Sequence, residues 1–275
     1  MTELLHWLRP WYPSWWLCAA LALAAGLYLR GCRRRHTPRW RQALFWLGWL
    51  LSWQGLQTQW DYLAEHEFFV HMIQQATLHD FAPLLVMAAW PGPALRAGLP
   101  AALRQRWLLP LARWAPLRMA AAVLLNPWVA TLVFSGIVVF WLVPLVHVGV
   151  MLNTTLYQWM NATMIADGLL FWWLVLDPRT SGPAHVRAGL RIFLPLLAML
   201  PQMLIGAVLA LAASDWYPIY SLCGRAIAGV SALQDQQLGG LILWIPASAA
   251  NVVAALVALR NWTRLSARKR LEPAS

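Results

Sequence analysis

The chain has 275 residues, of which 60% are hydrophobic and only 11% are charged, and its mean hydropathy is +0.54. This composition excludes an ordinary soluble domain, because no soluble segment of appreciable size remains once the apolar stretches are removed. The net charge of +11 does not indicate nucleic-acid binding, because the arginines fall in short segments beside apolar stretches, where they set membrane orientation. We therefore expect one integral-membrane domain over residues 1–275 and no nucleic-acid partner.

The apolar pattern predicts an all-α polytopic bundle with seven transmembrane helices. The predicted spans cover residues 11–29, 43–56, 68–90, 127–146, 152–176, 192–213 and 238–259. All but Arg9 and Arg225 of the 21 Lys and Arg residues fall in segments that this topology places on one side. Because positively charged loops stay in the cytoplasm, we expect the N-terminus outside and the C-terminus cytoplasmic. We also expect a helix of the basic segment 94–118 to lie in the interface.

Polar side chains are concentrated in the third predicted span, residues 68–90. His71, Gln75 and His79 are spaced by four residues and therefore form one stripe on the helix, with Met72 and Gln74 beside it. Polar groups at this depth are costly, and by default they face the interior of a bundle and mark a site. This span is therefore the one around which the others are expected to pack.

The residue types on this stripe favour a metal site. Imidazole is a ligand for copper, iron and zinc, and the methionine thioether suits Cu(I). Two histidines eight residues apart are about 12 Å apart along one helix, so other helices must supply ligands, or the two mark positions along a path. We predict His71, His79, His147, Met72 and Met160 as metal ligands, supported by Gln74, Gln75, Asp80, Asn161 and Asp235. A hydrogen-bonded network within the bundle and contact with haem or quinone remain alternatives.

Three acidic residues lie in or next to predicted spans, where a carboxylate requires ionic or hydrogen-bond partners. Asp80 and Asp167 lie within predicted spans, where they pair with arginine or amide groups or take part in a proton relay. Asp235 precedes the seventh span, where a carboxylate can cap the helix and complement its dipole, and it also lies at the mouth of the predicted site. Gly239 and Gly240 follow it and permit close helix approach in lipid.

The remaining motifs are uninformative. Cys18, Cys32 and Cys223 form no CxxC pair, and we expect neither a disulfide nor a thiol-based metal relay. There is no P-loop, no HExxH and no Gly-x-Ser-x-Gly. We therefore expect no enzyme activity.

Three segments carry a family resemblance: HMIQQATLHDFAPLL in the third span, GLLFWWLVLDP at the end of the fifth, and DQQLGGLILWIP at the seventh. In these the chain resembles the CtaG-type (caa3-type) cytochrome c oxidase assembly proteins, from about residue 55 to 260. That family is known as seven-span membrane proteins that help to assemble haem–copper oxidases, with a proposed role in supplying copper. The resemblance carries over to His71, Gln74 and Asp235 by position.

The chain departs from the family pattern at several histidines. The family's third span usually reads HMxQH, and Gln75 stands here in place of the second histidine. A WHxP motif common in the fourth span is WLVP, with Leu142 at the histidine position. A pair of histidines one turn apart in the fifth span is replaced by Tyr157 and Asn161.

The stripe and the resemblance together imply an assembly factor for a haem–copper cytochrome c oxidase, which handles or delivers copper on the periplasmic side. Its expected partners are oxidase subunits or other assembly factors, and the lipid bilayer. The resemblance also implies that its location is the inner (plasma) membrane of a bacterial cell. Two alternatives remain: a membrane transporter for copper or a small solute, and a metal-free scaffold that binds oxidase subunits. A transporter would need a polar path to both faces. The inner half of the third span, FAPLLVMAAW, is apolar and argues against one.

Overall fold

The computed structural model describes residues 13–177, 179, 186–222 and 224–271. The predicted start of the first span at residue 11 and the position of Cys223 lie outside these ranges. Within them the chain is helical and contains no β-strand, which confirms the all-α class.

The helices are numbered here in chain order, and two π-helical turns interrupt them. They are α1 Trp15–Arg34, α2 Arg39–Gln57, α3 Trp60–His66, α4 Phe68–Ala76, α5 Ala82–Ala88, α6 Gly92–Gly98, α7 Ala101–Leu103, α8 Leu109–Arg113, α9 Ala115–Leu124, α10 Pro127–Leu142, α11 Pro144–Met151, α12 Thr154–Leu176, α13 Ala188–Ala210, α14 Ile219–Leu222 and α15 Ala232–Leu271. The π-helical turns are Thr77–Phe81 and Arg104–Leu108.

Among the described residues, four helices are long and apolar enough by themselves to cross a membrane. They are α1, α12, α13 and α15 as far as Arg264. Helices α9 and α10 add a fifth if this pair, bent by 72°, is one span. The second and third predicted spans are not among these four. The second coincides with α2, which is rich in tryptophan and glutamine, and the third consists of consecutive helical segments that are each shorter than a span. Seven crossings and the sidedness of the termini therefore remain predictions. We call the end of the bundle predicted to face outward the outer end, and the opposite one the inner end.

The third span forms a continuous helix from Phe68 to Ala88, about 32 Å long, through α4, the first π-helical turn and α5. Its junction residues Ala76 and Ala82 keep α-helical backbone angles. The outer part, α4, packs against α15, and the inner part, α5, packs against α2 and α12. It is therefore the central helix of the bundle, as its polar stripe predicts.

The fourth span is broken where the sequence predicts one helix over 127–146. Helix α10 ends at Leu142 and α11 begins at Pro144, because proline has no N–H to continue the hydrogen bonds and restricts the backbone of the preceding residue. The short helix α11 then carries His147 one turn beyond the break. The kink is what allows this histidine to face the central helix.

Glycines allow α13 and α15 to pack with their backbones in contact, as predicted for Gly240. A Cβ atom on Gly240 would lie 2.7 Å from the carbonyl oxygen of Gly206 and would also collide with the backbone of Ala210. Small residues at such crossings are typical of helix packing in lipid.

Gly240→Ala should therefore lower the free energy of unfolding by about 1–3 kcal/mol, the usual cost of overpacking. Gly136 in α10 is the matched control, because a Cβ atom there meets nothing within 4 Å. Gly136→Ala should leave stability unchanged or raise it by up to about 1 kcal/mol, since alanine is the better helix former. Thermal unfolding in one detergent measures both variants, and equal effects would contradict the packing argument.

Residues 101–124 form an arm that contributes no buried residue to the bundle. The bend of 72° between α9 and α10 directs the arm across the direction of the adjoining span. This geometry fits the expectation of a helical segment lying in the interface.

Candidate metal site

A small cavity of about 20 Å³ lies beside the central helix. This volume holds about one water molecule or one ion, and it is far too small for haem or an organic substrate. All five predicted ligands line it: His71, Met72, His79, His147 and Met160. The other lining residues are Gln75, Ala76, Asp80, Val138, Trp141, Leu142, Met164 and Leu243. Of the predicted supporting residues, Gln75 and Asp80 also line it.

The closest pair of imidazoles in the cavity is formed by His71 and His147. Their ring centroids are 5.1 Å apart and the rings are perpendicular, at 90°. Both side chains are buried, with 1% exposure each. His71 comes from the central helix and His147 from α11, after the kink at Pro144. A second imidazole, from another helix, thus lies at the same depth as His71.

The hydrogen bonds of His147 define its tautomer. Nδ1 lies 3.1 Å from the carbonyl oxygen of Trp141, which can only accept, so Nδ1 carries the proton. Nε2 of the neutral ring then has a free lone pair, and it accepts a hydrogen bond of 2.8 Å from the Tyr220 hydroxyl. An imidazole whose other nitrogen donates to a backbone carbonyl is the usual arrangement of a metal ligand. Here Tyr220 occupies the position that a metal would take.

Several buried polar atoms on the central helix lack hydrogen-bond partners among the described residues. They are Nδ1 of His71, Oε1 of Gln75, Nδ1 of His79 and Oδ1 of Asp80. All four belong to residues that line the cavity. Unpartnered buried groups are costly, and a cluster of them is typical of a site that holds water or an ion.

His79 belongs to a separate group deeper in the bundle. Its Nε2 lies 3.4 Å from Asp167 and its Nδ1 lies 3.5 Å from Asp80. Its ring stacks on Phe134 with a centroid distance of 4.0 Å. The partner of both acids is therefore a histidine, and the expectation of arginine or amide partners is wrong. Gly168 of α12 makes room for this contact, because a Cβ atom there would collide with the carbonyl oxygen of His79.

No three His, Cys, Asp or Glu side chains within the described part of the chain are arranged to hold a metal ion. His79 with its two carboxylates is therefore not a site of that kind. The donors that remain are the two imidazoles of His71 and His147 and the thioethers of Met72, Met160 and Met164 around the cavity. This set of borderline and soft ligands fits Cu(I) better than Zn²⁺ or a hard cation.

In the fifth span, Tyr157 and Asn161 stand where the family has histidines, and both form hydrogen bonds with the central helix. The Gln75 amide donates to Oδ1 of Asn161 at 2.8 Å. The Tyr157 hydroxyl donates to Oε1 of Gln74 at 2.6 Å. Two departures from the family pattern, Gln75 and Asn161, are thus bonded to each other, whereas Tyr157 bonds to Gln74, which the family pattern shares.

Gln74 does not line the cavity, and it forms hydrogen bonds that connect helices at the outer end. Its amide donates to the carbonyl oxygen of Gly55 at 2.8 Å and to the carboxylate of Asp61. Burial raises the pKa of Asp61 to about 7, although the Gln74 hydrogen bond favours the ionised form. Gln74 therefore links α2, α3 and the central helix, and its role is structural.

Asp235 caps the central helix rather than its own. Its two carboxylate oxygens accept hydrogen bonds from the backbone N–H groups of Phe68 and Phe69, at 2.9 and 2.8 Å. Arg225 lies 3.3 Å from the same carboxylate and 2.6 Å from that of Glu67. Sequence reasoning missed this group because its members are separated by about 160 residues along the chain.

Helix α15 has a different cap. The Ser231 hydroxyl accepts from the Gln234 N–H, and the Gln234 side chain accepts from the Ser231 N–H, at 3.3 and 2.9 Å. This reciprocal pair is a capping box, and the motif Ser-x-x-Gln was visible in the sequence. The expectation that Asp235 caps the seventh span is therefore wrong.

The outer segment before α15 contributes two tyrosines that contact residues around the cavity, and sequence reasoning missed both. The Tyr217 ring stacks on Phe68 at 4.4 Å, and its hydroxyl donates to the carbonyl oxygen of Leu142 at 2.7 Å. Tyr220 reaches His147, and its oxygen lies 3.8 Å from the sulfur of Met151. The only signal in the sequence was the pair of tyrosines around Pro218.

Comparison with known families agrees with these features. The family described as cytochrome c oxidase caa3 assembly factor matches residues 26–265, nearly the whole chain. This chain belongs to that family. No curated protein and no solved structure matches it. Membership in the caa3 assembly factor family indicates a non-catalytic role in the assembly of cytochrome c oxidase, in association with the oxidase or its assembly machinery. The apolar helices agree with a membrane location.

Proposed function

We propose that this assembly factor binds one Cu(I) ion between His71 and His147, at the outer end of the bundle, and holds it for a haem–copper oxidase. The ligands would be Nδ1 of His71, Nε2 of His147 and methionine sulfur. His79 lies deeper, where it would form a buried charge network with Asp80 and Asp167 that supports the site. Delivery would then occur on the periplasmic side, in contact with oxidase subunits or other assembly factors.

The perpendicular pair of His71 and His147 beside a cavity the size of one ion carries this proposal. The unpartnered Nδ1 of His71 supports it, because that atom is buried and has a lone pair or a proton to satisfy. The thioethers around the cavity add soft ligands for the reduced ion. Copper is cargo here, and neutral imidazole is the form that binds it at neutral pH.

A copper transporter is less well supported, because an aromatic cluster lies next to His79, at the inner side of the cavity. Phe134 stacks on His79 and on Phe171, Trp172 packs edge-on against Phe134, and all three aromatic residues are fully buried. An ion would have to cross this aromatic cluster without ligands.

A metal-free scaffold has one specific observation in its favour. Both nitrogens of His147 already have hydrogen-bond partners, Trp141 and Tyr220. On this reading the histidines are part of the packing of the outer end, and oxidase subunits bind elsewhere. The metal content of the purified protein separates the two functions: loading with Cu(I) under reducing conditions should give one ion per chain. A protein that retains none is the scaffold.

Tyr220→Phe tests whether the His147 lone pair is the ligand. Removing the hydroxyl frees Nε2 from a hydrogen bond worth about 0.5–1.5 kcal/mol, so Cu(I) affinity should rise by about threefold to tenfold. Competition with a chromogenic Cu(I) chelator measures this change. The control is Tyr217→Phe, whose hydroxyl bonds to a backbone carbonyl and not to a ligand, so affinity should stay the same. Equal affinities for both variants and the wild type would exclude His147 as a ligand.

A further inference from the structure

A second, larger cavity lies at the inner end of the bundle, between the end of the central helix, α6 and the end of α12. Its volume is about 400 Å³, which is the size of a small-ligand pocket rather than of a site for one ion. Leu95, Leu99 and Trp173 line its walls, and Arg96 and Arg179 are the charged side chains at its edge. Apolar walls with cationic groups at one side suit an amphiphile with an anionic head.

The charges around this cavity are not balanced. Arg179 donates to both carboxylate oxygens of Asp177, at 2.7 to 3.2 Å, which fixes its guanidinium at the rim. Arg191 donates to the backbone carbonyl of Asp177. Arg96 forms a hydrogen bond of 3.3 Å to the carbonyl oxygen of Gly92, and no carboxylate of the described residues pairs with it. The two guanidinium groups that line the cavity are therefore matched by one carboxylate of the described residues, that of Asp177, and an anion would offset the excess.

Trp90 forms part of the rim in a strained backbone conformation. Its φ angle is +54°, and no other non-glycine residue of the described chain has a positive φ. The guanidinium carbon of Arg179 lies 5.2 Å from the centroid of its ring. Residues held in this way are concentrated at ligand clamps and similar sites. Tryptophan is also the residue that marks the headgroup level of a bilayer.

The arm of residues 101–124 continues from the same cavity. It begins two residues after Leu99 and carries Arg104, Arg106, Arg113 and Arg118. None of its residues is buried, and its bend of 72° from α10 directs it across the adjoining span, at the end predicted to face inward. Basic segments beside spans attract anionic lipids, and basic pockets between helices on the cytoplasmic side bind anionic headgroups.

We propose that this cavity binds one anionic phospholipid of the inner leaflet. Its phosphate would lie between Arg96 and Arg179, and its acyl chain would run along Leu95, Leu99 and Trp173. The lipid would join the central helix, α6 and α12 at the end opposite the copper site. This proposal does not depend on copper binding.

Native mass spectrometry of the full-length protein tests it, after delipidation and addition of defined lipids. The wild type should retain one phosphatidylglycerol and prefer it to phosphatidylcholine by about fivefold to thirtyfold, the effect of one or two guanidinium groups at about 1 kcal/mol each. Arg96→Gln should reduce the retention of phosphatidylglycerol by about fivefold. Arg113→Gln makes the same charge change on the exposed arm, outside the cavity, and should leave retention unchanged.

A second variant tests the cavity without changing charge. Gly92 lines the cavity, and a Cβ atom added there meets no atom within 4 Å, so Gly92→Leu should fill the space without a clash and exclude the lipid. Unchanged retention by Gly92→Leu would place the lipid elsewhere and overturn the proposal. Equal retention of phosphatidylcholine, or an equal loss in Arg113→Gln, would overturn it as well. Displacement of the lipid by millimolar inorganic phosphate would show a site for a free anion instead.

Discussion

His71→Ala and His147→Ala should each abolish stoichiometric Cu(I) binding, while His79→Ala should retain it with lower affinity. His71 and His147 face each other at 5.1 Å across the cavity, so either substitution leaves one imidazole. The expected loss of affinity exceeds about a hundredfold, because even the loss of a residue that only orients a ligand costs roughly 10–100-fold. His79 is held by Asp80 and Asp167, and its removal should act indirectly.

The matched control for these variants is His66→Ala. His66 lies at the outer end on α3, does not line the cavity, and bonds through Nδ1 to the carbonyl oxygen of Tyr62 at 2.7 Å. Its loss should change neither the bound copper nor the protein level. Metal content by atomic absorption and affinity by chelator competition give the two readouts. Copper loss in His79→Ala equal to that in His71→Ala would place the ion deeper than proposed.

The same variants connect the site to oxidase assembly. In cells, His71→Ala should lower cytochrome c oxidase activity without lowering the amount of the assembly factor itself. Full oxidase activity in both His71→Ala and His147→Ala would mean that the histidines only pack the bundle. The scaffold function would then replace the copper function, whatever the purified protein binds in vitro.

The positions of most helices could be read from hydropathy, because burial in lipid imposes long apolar runs. The interruptions were harder to predict. Pro144 in the fourth span was an available signal that a single helix over 127–146 would break, since proline cannot continue the hydrogen bonds. Pro83, which follows the π-helical turn Thr77–Phe81, was a similar signal because it cannot donate to the carbonyl oxygen of His79, but it does not show by itself that the helix continues through a π-helical turn.

The site residues could be proposed from one helix, but their partners could not be assigned. Spacing by four placed His71, Gln75 and His79 on one face, and all three line the cavity. Spacing along one helix does not show which distant side chain lies opposite. His147 was selected by depth alone, while the pairing of His79 with Asp167, 88 residues away, depends on where Gly168 lets α12 approach.

Asp235→Ala should lower the free energy of unfolding by about 2–6 kcal/mol, because it leaves two backbone N–H groups without their acceptor, at about 1–3 kcal/mol each. The first two N–H groups of the central helix would lose their acceptor, and Arg225 would keep only Glu67. A helix whose N-terminus is uncapped and buried has no water to replace the lost bonds. The protein should be less abundant and should unfold at a lower temperature in detergent.

Asp235→Asn removes the charge of this side chain, but it also weakens the cap, so this variant alone does not separate the two roles. Asparagine caps most helices about as well as aspartate. Here, however, both carboxylate oxygens are used, one for Phe68 and one for Phe69, and the amide nitrogen of asparagine cannot accept. We therefore expect a loss of about 1–3 kcal/mol even if the charge has no role in copper binding. Asp215→Asn is the control, because Asp215 accepts one hydrogen bond, from the Tyr217 N–H, which asparagine can also accept.

A double-mutant cycle with Arg225→Gln separates the two contributions. If the ion pair matters, the double variant should be more stable than the sum of the single losses predicts, because neither charge is then left alone. If Asp235 acts only as a cap, the losses should add. Copper content is measured on the same samples: a carboxylate that serves the central helix should affect binding only as far as it affects folding. A folded Asp235→Asn variant of normal stability that has lost its copper would contradict this assignment and return the carboxylate to the mouth of the metal site.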